Sequence, residues 1–227
     1  MDLGKEQHIM KIEIWSDFVC PFCYIGKRNF EDALNKSGFS DKVEIVYKSF
    51  ELDPNAKRDG NLPARELLMK KYGMSSERAA QSIEDLTRSA KEVGLEYQLD
   101  QAIQTNTFDA HRLSHYAKEV GKSQIYMEHL FKAHFTEGLH IGDHKVLLMI
   151  GEVIGLDSEK VIKILGGDDY SDAVRSDERK AHELGIKGVP YFLIDGKHAI
   201  YGAQPSASFL KAFEESKRSN EPQINIL

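Results

Sequence analysis

Apolar and polar positions alternate from Met10 to Trp15 (MKIEIW), the period of two that marks a strand with one buried face. A second run, VEIVYKSF at 43–50, has the same character. Between them Cys23, Ile25, Phe30, Ala33 and Leu34 recur at helical spacing, and the pattern ends near Ser37-Gly38. Pro21 suits the first turn of that helix, where its missing N–H costs nothing. The chain therefore opens strand–helix–strand, a βαβ unit whose parallel strands need the helical crossover.

The middle has a different rhythm. After the turn-rich FELDPNAKRDG, residues 63–165 carry a helical period almost without interruption, with Pro63 placed to start the first helix. SSERAAQSIEDLTRSAKEVG, capped by Ser75 or Ser76, puts Ala80, Ile83, Leu86, Ala90 and Val93 on one face. FDAHRLSHYAKEVG, QIYMEHLFKAHF and DHKVLLMIGEVIG follow, each closed by glycine or a loop. This is the pattern of an all-helical insertion. From Asp168 the α/β pattern returns: SDAVRSDERKAHELGI as a helix, GVPYFLID as a strand and KHAIYG as its antiparallel partner. Asp195-Gly196 between two apolar runs is a strong hairpin signal. PSASFLKAFEESKR closes the fold as a helix capped by Ser206, and SNEPQINIL is expected as a loose tail. No repeat recurs at a fixed period.

Composition narrows the function. The chain has 227 residues, 41% of them hydrophobic, enough for one large core or two modest ones. A net charge of -6, with both signs interspersed, favours solubility and argues against a nucleic-acid partner. No apolar run approaches the roughly 20 residues that span a bilayer, so no membrane role is expected. MDLGKEQHIMKIEIW has no apolar core of a secretory signal, which makes the cytoplasm the expected address. In that reducing compartment a disulfide is more often transient and catalytic than structural.

Only two cysteines exist, Cys20 and Cys23 in SDFVCPFCYIGK. Three explanations compete: a redox pair, half of a metal site, or two inert buried thiols. A cysteine in the first turn of a helix meets unpaired N–H groups and the positive end of the helix dipole. Both favour a thiolate, which makes Cys20 the nucleophile, and Cys23, one turn on, is placed to resolve a mixed disulfide. A CxxC beside a βαβ unit is a redox signal. Zinc would need two more ligands. His111 with His115, or His140 with His144, have suitable spacing but lie some 90 residues or more away, in the helical region. The expected metal content is none.

CPFC after a strand, a helical insertion, then GIKGVPYFLIDG and a hairpin resemble the DsbA-type thiol–disulfide oxidoreductases. The match extends to their cytosolic FrnE-like branch, since SDFVCPFCYIGKRNFEDAL, NTFDAHRL and GVPYFLIDG fall in the expected order. The resemblance implies a thioredoxin-like α/β fold over 10–60 and 168–227, interrupted by a helical domain at 61–167; residues 1–9, ahead of the first strand pattern, are expected as a loose N-terminal extension or an artefact of start-site choice. It implies that the Val189-Pro190 bond is cis, with Pro190 against the active-site disulfide. The strand-opening proline would then leave the Val189 backbone free to pair with substrate.

Pro21 and Phe22 complete the active-site dipeptide. Strongly oxidising relatives carry histidine there, and Phe22 offers the Cys20 thiolate neither a hydrogen bond nor a charge, which implies a weaker oxidant. The exchange chemistry carries over; the direction of flux does not. Asn106, His111 and Arg112 of NTFDAHRL either flank the active site or serve as helix cap and interdomain contacts. Phe22, Tyr24 and Ile25 are candidates for an apolar docking groove. Trp15 is expected near the thiol pair. No bound cofactor is expected beyond the Cys20–Cys23 couple. The expected partners are protein or small-molecule thiols and disulfides, with glutathione as a co-substrate and a monomer or homodimer as the assembly. Glutathione-dependent isomerases such as 2-hydroxychromene-2-carboxylate isomerase, and kappa-class glutathione transferases, share this fold and form the rival class. They generally carry a lone serine where this chain has Cys20. A non-catalytic interaction module, binding through its helical domain, is the third reading.

Overall fold

In the computed structural model, residues 8–60 and 62–220 are described; residues 1–7 of the expected extension and 221–227 of the expected tail lie outside them. In chain order the elements are β1 (Met10–Ser16), α1 (Pro21–Ser37), a 3-10 turn (Ser40–Lys42), β2 (Val43–Ser49), β3 (Leu62–Pro63), α2 (Ala64–Tyr72) and α3 (Ser76–Glu92). Then come β4 (Ile103–Gln104), α4 (Phe108–Glu119), α5 (Ser123–Phe135), α6 (His144–Val153), α7 (Ser158–Gly166), α8 (Ser171–Glu183), β5 (Tyr191–Ile194), β6 (His198–Tyr201) and α9 (Ser206–Asn220).

The alternation in β1 buries Met10, Ile12 and Ile14 on one face, and its end, Trp15 and Ser16, is buried on both sides; the strand runs through the middle of a four-stranded sheet ordered β2-β1-β5-β6. It pairs parallel with β2 and antiparallel with β5, Ile12 standing opposite Ile194. Ile12 and Ile14 join the main core. There Phe30 of α1 meets Phe192, Phe209 and Phe213, which brings α1 and α9 together over one sheet face. Trp15 turns to the other face, packing with Tyr191 and with Ala181 of α8. The hairpin forms at Asp195 and Gly196, both at positive φ, with Lys197 N donating to Ile194 O. This is a thioredoxin fold of mixed α/β type.

Among the described elements between β2 and α8, all are helices except one short ladder. Leu62 and Pro63 pair antiparallel with Gln104 and Ile103, so a two-stranded ladder stands where the sequence shows an almost uninterrupted helical period. Pro63 belongs to that ladder and α2 begins after it. Gly60 permits the close approach, because a Cβ there would sit 2.4 Å from the Gln104 carbonyl oxygen. Ser75, not Ser76, caps α3 by accepting from Arg78 N at 3.3 Å. Ser206 is the first residue of α9 instead of its cap.

A polar cluster ties α1 to α5. Glu128 accepts from Tyr24 Oη at 2.6 Å, from Lys27 Nζ at 2.6 Å, and from Arg28. Burial alone would raise the Glu128 carboxyl, but these donors hold it down at about 2. Among the described residues no helix is long and apolar enough to cross a membrane.

Candidate active site

The end of β1 sets the position of Cys20. The chain turns at Asp17–Val19, and Cys20 N donates back to Asp17 O at 3.1 Å. Cys20 then serves as the cap of α1, with extended φ and ψ and Pro21 directly after it. Its Sγ donates to the Val189 carbonyl at 3.4 Å. Cys23 N donates to Cys20 O at 3.0 Å, closing the turn that joins the two residues. Both thiols are free. Burial pushes the Cys23 thiol well up, and the neighbouring Cys20 pushes it further against opposing bonds from Ser16 and Asp17.

The Val189-Pro190 peptide is cis, as the resemblance implies. Its loop rests on α1 where Gly26 clears the way, since a Cβ there would lie 2.9 Å from Pro190 Cγ. Tyr97 Oη donates to Pro21 O at 2.7 Å, anchoring the start of α1 to the chain that follows α3.

Cys20 opens onto a cavity of about 570 Å³. Val19, Cys20, Pro21 and Phe22 line it together with Gly188 and Val189. Apolar lining also comes from α2 and α3: Leu67 and Leu68 of α2, Ile83 and Leu86 of α3. Cys23 does not line it. Phe22 stands at the rim, 52% exposed, whereas Tyr24 and Ile25 are buried. Tyr24 stacks on Phe131, so of the three docking candidates only Phe22 faces the cavity. The indole of Trp15 faces away, donating to Asp177 O at 3.1 Å, because strand alternation turns it to the α8 side.

The NTFDAHRL residues separate. Asn106 Oδ1 accepts from Phe108 N at 3.0 Å in a turn just ahead of α4, whose N-cap position is Thr107, and its amide donates to Glu51 and to Pro54 O. Arg112 is buried among the carbonyls of Ile164, Gly167 and Asp169. His111 alone approaches the active-site loop, with Nε2 3.4 Å from Asp17 Oδ1 and its ring against Phe18. The histidine pairs also part company. His115 meets Ser49 and Asp177, His140 meets Gly60 O, and His144 meets Asp109.

The sequence reading missed the α2–α3 wall and His134 of α5. His134 is 3% exposed, lines the cavity and leaves Nδ1 with no hydrogen-bond partner. Burial, with His140 nearby and Asp17 opposing, lowers its pKa to about 4. The only signal was a histidine inside QIYMEHLFKAHF at a helical position shared with apolar residues. Because the folded value lies below the ordinary 6.5, the unfolded chain takes up this proton first. Stability contributed by the neutral ring is therefore complete above about pH 6.5 and lost as pH falls toward 4, by about 3 kcal/mol at most. Denaturant titrations from pH 7 to pH 4.5 are expected to show this fall, and His134→Phe should flatten it. Parallel curves for the two proteins would contradict it.

Comparison with known proteins follows the same lines. Residues 11–214 match the family model described as DSBA-like thioredoxin domain. A probable DsbA oxidoreductase from Streptomyces coelicolor is 38% identical, with TM-score 0.90, covering 96% of this chain and 94% of its own. At 17% identity, 2-hydroxychromene-2-carboxylate isomerase shares the fold with TM-score 0.70, over 92% of this chain and 97% of its own. The cytosolic disulfide reductase DsbM from Pseudomonas aeruginosa, also 17% identical, does so with TM-score 0.64 over 92% and 99%, and is known with GSH.

Proposed function

The chain belongs to the DSBA-like thioredoxin domain family, whose members are thiol–disulfide oxidoreductases, and on that premise we propose that it exchanges dithiol and disulfide through Cys20 and Cys23. One observation carries the reading: Cys20 lies on the cavity wall under the Val189 carbonyl, while Cys23 is sealed behind it. The Cys20 thiolate attacks a substrate disulfide, forming a mixed disulfide and releasing one thiolate. Cys23 gives up its proton and attacks the Cys20 sulfur, releasing the second thiol. The substrate gains two electrons and two protons, and the enzyme holds a Cys20–Cys23 disulfide. Raised by burial, Cys23 keeps its proton until Cys20 is engaged, which orders the two attacks.

Phe22 and the Val189-Pro190 segment form the floor on which substrate is held, with Pro21 opening α1. His111 packs its ring against Phe18 of the loop, Asn106 ties the start of α4 to Glu51 and Pro54, and Arg112 ties α4 to Ile164, Gly167 and Asp169. The FrnE-like assignment, a cytoplasmic address and glutathione as co-substrate take support from DsbM, named as cytosolic and known with GSH. The fold is shared with the isomerase class, but the second cysteine favours exchange. An isomerase of that class would not need Cys23.

Titrating the protein through glutathione ratios while counting free thiols tests the reading. One two-thiol transition is expected, with a midpoint below about −180 mV because Phe22 gives the Cys20 thiolate no added stabilisation. Thiol content that stays constant between strongly oxidising and strongly reducing buffers would end the proposal.

A further inference from the structure

Apart from the Cys20 sulfur, the cavity above α1 carries charge at one place. Its volume of about 570 Å³ falls in the range of small-molecule sites, roughly 300–1,000 Å³. Most of the lining is apolar, and Tyr72, Ser82, Gln104 and His134 add polar side chains without charge. The His134 ring is neutral at ordinary pH, since burial lowers its pKa to about 4. Among the described lining residues the single charged side chain is Lys71, in the last turn of α2. Its Nζ reaches Asp53 at 3.1 Å, and the two side chains stay 39% and 34% exposed. A pair this open to water contributes little, because solvent and salt screen it. An incoming carboxylate can therefore take the place of Asp53 at small cost, while Asp53 keeps a donor in Asn55 N at 3.3 Å. Lys70, its neighbour at the same helix end, pairs with Glu66 at 3.3 Å and does not line the cavity.

We infer that Lys71 determines specificity at this site, binding a carboxylate of a low-molecular-weight disulfide whose sulfur meets Cys20. The inference rests on the exchange reading and names the charge of its small-molecule substrate. Glutathione disulfide, which carries carboxylates, belongs to this class. The attraction is charge-assisted and acts beside an apolar wall, where it is stronger than in open water. A cationic disulfide of the same size meets Lys71 as a like charge and finds no carboxylate among the described lining residues. Exchange proceeds as written above, with both thiols of the split disulfide leaving as products, so no further oxidant or reductant enters. Lys71 binds the substrate and takes no part in the electron transfer.

The test uses the full chain, reduced with dithiothreitol and desalted into low-salt buffer. Loss of its thiols is followed with three disulfides of like size: dithiodipropionate, which is anionic, cystamine, which is cationic, and hydroxyethyl disulfide, which is uncharged. The quantity read is the ratio of the anionic to the cationic rate constant, compared between variants so that the reagents' own reactivities cancel. Lys71→Met is expected to lower this ratio about tenfold, about threefold from lost attraction and about threefold from lost repulsion. Lys71→Arg, which keeps the charge, should hold the ratio within about twofold, and so should Lys70→Met. The uncharged rate should stay within about twofold throughout. Asp53→Asn, which frees Lys71, should raise the ratio about threefold, but not in the Lys71→Met background. A ratio unchanged in Lys71→Met, or lowered equally in Lys70→Met, would make Lys71 an ordinary helix-end lysine and overturn the inference. A fall of the uncharged rate as large as that of the anionic one would overturn it too, as would an Asp53→Asn ratio that does not rise. A wild-type dithiol that none of the three disulfides oxidises would overturn the exchange reading itself, and the inference with it.

Discussion

Cys20→Ser is expected to lose thiol–disulfide exchange by at least about a thousandfold, the scale on which removal of an attacking nucleophile acts. Cys23→Ser should behave differently. Its Cys20 can still attack, but nothing releases the product, so mixed disulfides at Cys20 should accumulate and be countable by mass spectrometry. The asymmetry follows from position: Cys20 meets the cavity, whereas Cys23 is buried one turn up α1 with its thiol held protonated. Equal trapping by both variants would refute the assignment. Unimpaired turnover in Cys23→Ser would favour the isomerase class.

The second large effect concerns stability. Arg112→Ala is expected to cost about 3–5 kcal/mol, the penalty for breaking a buried ion pair from one side. Arg112 Nη1 donates to Asp109 Oδ1 at 2.8 Å, and its other nitrogens serve the carbonyls of Ile164, Gly167 and Asp169. Two of those carbonyls belong to the last turn of α7 and the residue after it. Their loss unties α7 from α4 and strands the Asp109 carboxyl, with Arg58 and His144 left to hold it. For a chain of this size the melting temperature should drop by about 10 °C. The midpoint of the Cys20–Cys23 titration should stay in place, since Arg112 is remote from the cavity. A shifted midpoint with little loss of stability would return Arg112 to the active site.

These two cases show what a sequence makes legible. Cys20, Pro21 and Cys23 could be read because their chemistry is local: three residues of one helical turn determine which thiol leads. The sheet could be read because the periods of two at 10–15 and 43–50 and the Asp195-Gly196 turn are strong signals. The cis bond before Pro190 was legible only through resemblance, since proline alone rarely implies it. Arg112 was ambiguous because its partners are backbone carbonyls, which any sequence supplies. The β3–β4 ladder is two residues long on each side, shorter than any period can register. The α2–α3 wall needed tertiary structure. Ile83 and Leu86 were placed on one face of α3, but periodicity cannot say whether such a face meets a core or encloses a cavity. Trp15 was one residue from the opposite outcome, because a strand turns successive side chains to opposite faces.

The pairing of Ile12 with Ile194 has a consequence for the protein's synthesis. The strand that leads to Cys20 leaves the ribosome early, yet its antiparallel neighbour is made only near the end of translation. Contacts so distant along the chain form late, because loop closure must precede them. Until Val189 and its strand arrive, the nascent Cys20 has no carbonyl above it and no floor beside it. Both cysteines then stand open to cellular thiols and oxidants, and burial of Cys23 has not yet separated their reactivities. Nascent chains halted before residue 189 should therefore be alkylated at both positions at similar rates, and the released protein should not.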